Sequence, residues 1–99
     1  MKKIGEIRKK LEELKPFLMR EFKVKTIGVF GSYIRGEEKR GSDLDILVEF
    51  EDSAGLSLLD FIRLENYLSK ELGVKVDLVE KNTLKPRIGK HILEEVVNL

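Results

Sequence analysis

Two carboxylates, Asp43 and Asp45, open the stretch Asp43-Leu44-Asp45-Ile46-Leu47-Val48, which reads as a β-strand. Side chains alternate across a strand, so residues two apart project from one face within reach of the same ion. Two adjacent acids repel. A fold tolerates them where a cation neutralises both, and hard divalent ions such as Mg²⁺ prefer carboxylate oxygens. Upstream stand Gly31 and Ser32. A glycine lets the backbone come close to a ligand, and the amides that open the helix after it point at whatever sits there, which makes an anion site. An anion cradle beside paired carboxylates suits a nucleoside triphosphate chelated by Mg²⁺.

The string Gly31-Ser32, Arg35-Gly36, Ser42-Asp43-Leu44-Asp45 and then Val76-Asp77-Leu78-Val79 resembles the nucleotidyltransferase superfamily that includes DNA polymerase beta. Within it the chain looks like the minimal nucleotidyltransferases, the MNT antitoxins paired with HEPN toxins. The Gly-Ser pair followed by Asp-x-Asp on a strand is far more specific than a lone glycine-rich loop. The resemblance implies an α/β (α+β) fold, a small mixed sheet with helices packed on one face. It implies two Mg²⁺ ions, with Asp43 and Asp45 bridging both and Asp77 completing the site of the activating ion and accepting the nucleophile's proton. ATP is then the donor, and AMP goes to a tyrosine hydroxyl of a HEPN ribonuclease toxin with release of pyrophosphate. Ser32 would place its hydroxyl and amide on the β- and γ-phosphates, with Gly31 leaving room for them. Arg35 either touches the triphosphate or braces the three acids structurally, and both readings stand. Ser42 is a turn residue or a phosphate contact. Tyr33 and Ile34 depart from the smaller or more polar residues of many relatives, which bears on the nucleotide pocket and leaves the acids alone.

Two other readings compete. In one, the chain is a binding antitoxin that covers its partner without catalysis. In the other, it modifies a small aminoglycoside-like hydroxyl compound, for which a chain this short offers no obvious second pocket.

Residues 1–99 make one domain, with room for a core and little for a further substrate-binding module. A partner protein that brings its own binding surface fits that limit, as a hetero-oligomer with or without self-association. Lys and Arg number 19 against 18 Asp and Glu, with no long single-sign block, so a nucleic-acid substrate is disfavoured. Cysteine is absent, which excludes disulfides and thiolate metal sites. No apolar run approaches the roughly 18 residues of a membrane span, and no signal-peptide segment opens the chain. A cytoplasmic protein is expected.

The elements that must position the acids follow from periodicity. Ile7, Leu11, Leu14 and Leu18 mark one face of a helix from Ile4, with a kink or restart expected at Pro16. Lys25 to Phe30 reads as a short buried strand that delivers the Gly-Ser turn. Tyr33 to Glu37 reads as a turn of helix and Glu38 to Ser42 as a charged loop. From Asp43 to Phe50, alternation puts Leu44, Ile46, Val48 and Phe50 on the core face and Asp43, Asp45, Leu47 and Glu49 on an open one. Glu51 to Gly55 is a polar loop. Ser57 and Asp60 resemble a capping box for a helix to about Leu72, striped by Phe61, Leu64, Leu68 and Leu72 and stopped by Gly73. Val74 to Val79 alternates again, with Asp77 on the face of Lys75 and Val79. Thr83 is expected to cap a last helix striped by Ile88, Ile92 and Val96 beside Leu93. His91 receives no role, Lys39 and Arg40 read as part of a solvated loop, and Lys85 and Arg87 read as a solvated helix start or, alternatively, as a contact to a partner or phosphate.

Overall fold

The structure, a computed structural model, describes residues 3–99. Four helices and four strands follow in the order α1 (Ile4–Glu21), β1 (Val24–Phe30), α2 (Ser32–Arg35), β2 (Leu44–Phe50), α3 (Leu58–Leu72), β3 (Val76–Glu80), α4 (Pro86–Glu95) and β4 (Val97–Asn98). The sheet order is β3-β2-β1-β4. β1 runs antiparallel to β2 and to β4, whereas β2 and β3 are parallel. Parallel neighbours need a long crossover, and α3 supplies it.

One face of the sheet carries the core. Ile7, Leu11, Leu14 and Leu18 of α1 and Leu64, Leu68 and Leu72 of α3 pack on Ile27, Val29, Leu44, Ile46 and Val48, all buried. These are the helical and alternating positions read from the sequence, and burying each such side chain is worth about 1.5–3 kcal/mol before entropy is counted. The capping box is present as well. Ser57 Oγ accepts from the Asp60 amide at 3.2 Å, and Asp60 Oδ2 accepts from the Ser57 amide at 3.1 Å. Gly73 ends α3 in the left-handed conformation and donates to Ser69 O at 3.0 Å.

Several boundaries differ from expectation. α1 passes through Pro16 as one element. Pro16 is exposed while the four core positions on the opposite side hold both halves of the helix, so the lost hydrogen bond falls on the solvent side. β2 begins at Leu44, and Asp43 lies just before it. Thr83 is not a cap: it lies in a 3₁₀ turn over Lys81–Thr83 and its hydroxyl donates to Glu80 O at 2.8 Å. α4 starts instead on Pro86, whose missing N–H and fixed φ suit a first helical position. Val96 leaves the helix and leads into β4, a fourth strand that the sequence reading omitted.

The opposite face is also less open than alternation implied. Leu47 and Phe30 are buried there, outside the main core cluster. The apolar stripe of α4 does not join that cluster either, and Ile88 and Leu93 stay exposed. Among the described residues no helix is long and apolar enough to cross a membrane.

Candidate active site

Parallel pairing of β2 with β3 sets Asp45 directly opposite Asp77, between the apolar pairs Leu44–Val76 and Ile46–Leu78. Apolar neighbours on the core face fix the register, and a one-residue slip of either strand would turn its acid toward the core. β3 is an edge strand, yet its outward amides are engaged. Ser69 Oγ accepts from Val76 N at 2.9 Å and Glu65 Oε2 from Leu78 N at 2.8 Å. Those two side chains of α3 clamp the strand on either side of Asp77, and the sequence reading had not singled them out.

Asp45 is the electrostatic centre of the site. Its carboxyl is pushed up to about 6, first by burial, then by the charges of Asp77 and Asp43, against a smaller pull from Arg35. Like charges brought together in a partly dehydrated place either hold a proton or call for a cation. Among the described residues no trio of acidic or imidazole side chains converges on one point as the ligands of an ion would. The geometry therefore brings Asp45 and Asp77 together as neighbours and sets Asp43 as a third charge within electrostatic reach.

Gly31 is fixed by the same carboxylate. Its φ of 82° lies in the left-handed region, and a Cβ there would collide with Asp45 Oδ2 and stand 2.9 Å from its Cγ. Only glycine fits between the end of β1 and Asp45. Ser32 opens α2 immediately afterwards and is partly exposed. The Gly31 amide is itself engaged, donating to Glu95 Oε2 at 2.8 Å. In this arrangement Gly31 gives close approach, and its own amide is committed to Glu95.

Among the described residues Arg35 is held by two glutamates rather than by Asp43, Asp45 or Asp77. Its Nε donates to Glu37 Oε1 at 2.6 Å and its Nη1 to Glu95 Oε1 at 2.6 Å. Arg35 and the Gly31 amide hold the Glu95 carboxyl below its ordinary range. Ser42 is engaged in its own turn, where Oγ accepts from Lys39 N at 2.8 Å. Tyr33 is buried, and its phenol is pushed up by burial and by the charges of Glu38 and Asp43. Glu38 Oε2 is a buried carboxylate oxygen with no hydrogen-bond partner among the described residues.

These observations bear on whether divalent cations fit. An acid raised to about 6 by burial and then by like charges is what an acidic cation site looks like before neutralisation. The donor set is all oxygen, as Mg²⁺ prefers. Asp43, Asp45 and Asp77 are the residues that would hold it.

A cleft of about 460 Å³ adjoins the acids, lined by Phe30, Gly31, Arg35, Asp45, Ile88, His91, Ile92 and Glu95. Glu95 and His91 had been given no role. The available signal was weak: Ile88, His91, Ile92 and Glu95 fall at steps of three, one and three along α4, which puts them on one helical face. A larger cavity of about 720 Å³ lies at the other end of β2, lined by residues such as Phe50, Leu56, Phe61 and Leu78. It contains none of the paired acids, so the smaller cleft is the better candidate for chemistry.

The chain is similar in sequence and fold to known proteins. The Nucleotidyltransferase domain family matches residues 4–99. The protein adenylyltransferase MntA of Thermococcus cleftensis is 53% identical over 94 residues, covering 95% of this chain and 93% of that protein. A solved structure of a candidate minimal nucleotidyltransferase superposes with a TM-score of 0.84 at 38% identity, covering 99% of this chain and 97% of the other. A toxin–antitoxin structure with AMP-PNP superposes with a TM-score of 0.69 at 28% identity, covering 95% of this chain and 69% of the other. With its Gly-Ser turn and Asp-x-Asp strand set against a third acid on the neighbouring strand, the chain belongs to the nucleotidyltransferase domain family.

Proposed function

We propose that this protein is a Mg²⁺-dependent adenylyltransferase that moves AMP from ATP to a tyrosine hydroxyl of a partner HEPN ribonuclease toxin, and so acts as an antitoxin. The observation that carries the reading is the pairing of Asp45 with Asp77 beside the Gly31-Ser32 turn. Two relatives support it: one is a protein adenylyltransferase and another is a toxin–antitoxin solved with AMP-PNP.

Two Mg²⁺ ions held by Asp43, Asp45 and Asp77 would lower the barrier by polarising the phosphate and stabilising the attacking and leaving oxygens. The chain's own residues do the rest. Gly31 leaves space for the phosphates, and Ser32 offers its amide and hydroxyl to the β- and γ-phosphates. The tyrosine oxygen attacks the α-phosphorus, the bond from that phosphorus to the bridging oxygen breaks, and pyrophosphate leaves. Asp77 is exposed on the edge strand, where an incoming hydroxyl can reach it and leave its proton. The AMP adduct adds bulk and negative charge to the toxin, which disables a site that must bind RNA.

The test is to incubate the purified protein with ATP, Mg²⁺ and the product of the adjacent gene, if that gene encodes a HEPN-type protein, and to weigh both proteins by mass spectrometry. A gain of AMP on the partner's tyrosine, absent when Asp43→Asn and Asp45→Asn are combined, is the expected result. A tight complex that silences the ribonuclease with no mass gain would replace the enzyme with a binding antitoxin.

A further inference from the structure

Glu95 lies 64 residues from Gly31 and 60 from Arg35 in the chain, yet one carboxylate receives hydrogen bonds from both. Its place is fixed by the segment that follows. Val97 pairs with Val29 and Asn98 with Gly28, and the Leu99 amide donates to Ile27 O at 3.0 Å. Lys15 Nζ reaches over to Leu99 O at 2.5 Å. The fit against β1 is close enough that a Cβ on Gly28 would stand 2.7 Å from Val96 Cγ2. β1 thus carries the Gly31 turn at its end and, through β4, also anchors the segment that presents Glu95. Charge-assisted hydrogen bonds of this length are the strong kind, and a two-pronged acceptor holds its donors in one relative orientation.

From this we infer that Glu95 is a positioning residue for the donor nucleotide, locking the Gly31 turn and the Arg35 guanidinium in register beside Asp45. The inference rests on the nucleotide-transfer reading above and deepens it. Arg35 has a half-exposed side chain and many rotamers, and Glu95 and Glu37 restrict it to one. With the Gly31 amide committed to Glu95, the turn holds a single conformation in which Ser32 faces the phosphates. Misplacing a phosphate-binding group by about an ångström is enough to cost a large factor in productive binding.

The experiment measures ATP affinity and steady-state transfer for wild type, Glu95→Ala, Glu95→Gln, Arg35→Ala and the double variant Glu95→Ala, Arg35→Ala, with a melting curve for each. Glu95→Ala is expected to raise the Kd and KM for ATP about tenfold while the KM for the acceptor protein stays unchanged. Glu95→Gln keeps one neutral acceptor oxygen, enough for one of the two donors, and should fall between Ala and wild type. If Glu95 acts through Arg35, the double variant loses less than the sum of the two singles. Unchanged ATP affinity in Glu95→Ala would overturn the inference. So would tighter binding, which would make Glu95 a competitor of the triphosphate, or a loss matched in acceptor KM and melting temperature, which would make it merely structural. A wild-type protein that binds no ATP would fail the nucleotide-transfer reading itself.

Discussion

Asp45 and Glu49 lie four residues apart on the same face of β2 and carry the same charge, and the fold surrounds them differently. Glu49 accepts a hydrogen bond from Thr26 Oγ1 at 3.2 Å across the strand pair, and Lys81 Nζ stands 3.8 Å away. Asp45 has Asp77 opposite it, Asp43 behind it and the Gly31 backbone pressed against its carboxylate. One acid is neutralised by the protein, and the other is packed among further acids. Stability alone would select the first arrangement at both places. Where a chain keeps the second, the missing positive charge comes from a ligand, and perturbed carboxylates mark the functional end of the sheet. Cavity size points the other way, since the larger hollow lies at the Glu49 end.

The sharpest way to break this contrast is to neutralise each acid in turn. Asp45→Asn should lower adenylyl transfer by about a thousandfold, on the scale of losing cation-borne charge stabilisation at the reacting phosphate. Glu49→Gln should leave the rate within about twofold and stability within about 0.5 kcal/mol, as expected of an exposed surface pair. Initial rates and chemical denaturation of both variants would measure it. Equal losses in the two would erase the distinction.

A second comparison uses two glycines with positive φ. At Gly55, φ is 60° and a Cβ would meet nothing, so Gly55→Ala should cost about 1 kcal/mol of backbone strain. Gly31→Ala adds a collision with Asp45 and should cost at least about twice as much, with transfer lost as well. Denaturant midpoints and rates would separate the two effects.

The smallest expected effect is on pH dependence. Because the Asp45 carboxyl titrates at about 6 when folded and near its ordinary 3.8 when unfolded, the folded chain binds the extra proton between those values. Stability of the ion-free protein should therefore rise as pH falls from 7.5 through 6 toward 5, and Asp45→Asn should remove that part of the slope. At lower pH, Asp60 and Glu95, both held below their ordinary range, lose their contributions and oppose the trend. Melting temperatures of wild type minus variant isolate the Asp45 part, and a difference that does not change with pH would contradict it.

How far the sequence could be read follows from which interactions are local. The turn at Gly31 and the strand positions of Asp45 and Asp77 were legible from local turn chemistry and alternation, whereas the meeting of the two acids depends on the β2–β3 pairing. The Ser57–Asp60 box and the α3 stripe were legible for the same reason. Glu95 was not, since its partners lie some sixty residues away and a glutamate near the end of an amphipathic helix has no distinguishing pattern. β4 has two residues, too few for a period of two to appear. Arg35 stood between two readings because a guanidinium suits phosphate and carboxylate alike, and Glu95, which joins the nearby Glu37 on it, arrives only through the tertiary approach of α4. Leu47 was assigned to an open face because alternation says which side a residue takes and not what covers that side.

The most direct test of the account is calorimetric titration of a non-hydrolysable ATP analogue into wild type, Asp45→Asn and Glu49→Gln, with Mg²⁺ present and with it chelated. The account predicts binding that requires Mg²⁺, is lost in Asp45→Asn and is unchanged in Glu49→Gln. Equal binding with Mg²⁺ chelated, or wild-type affinity in Asp45→Asn, would contradict the claim that the crowded acids of β2 and β3 form a cation-dependent nucleotide site.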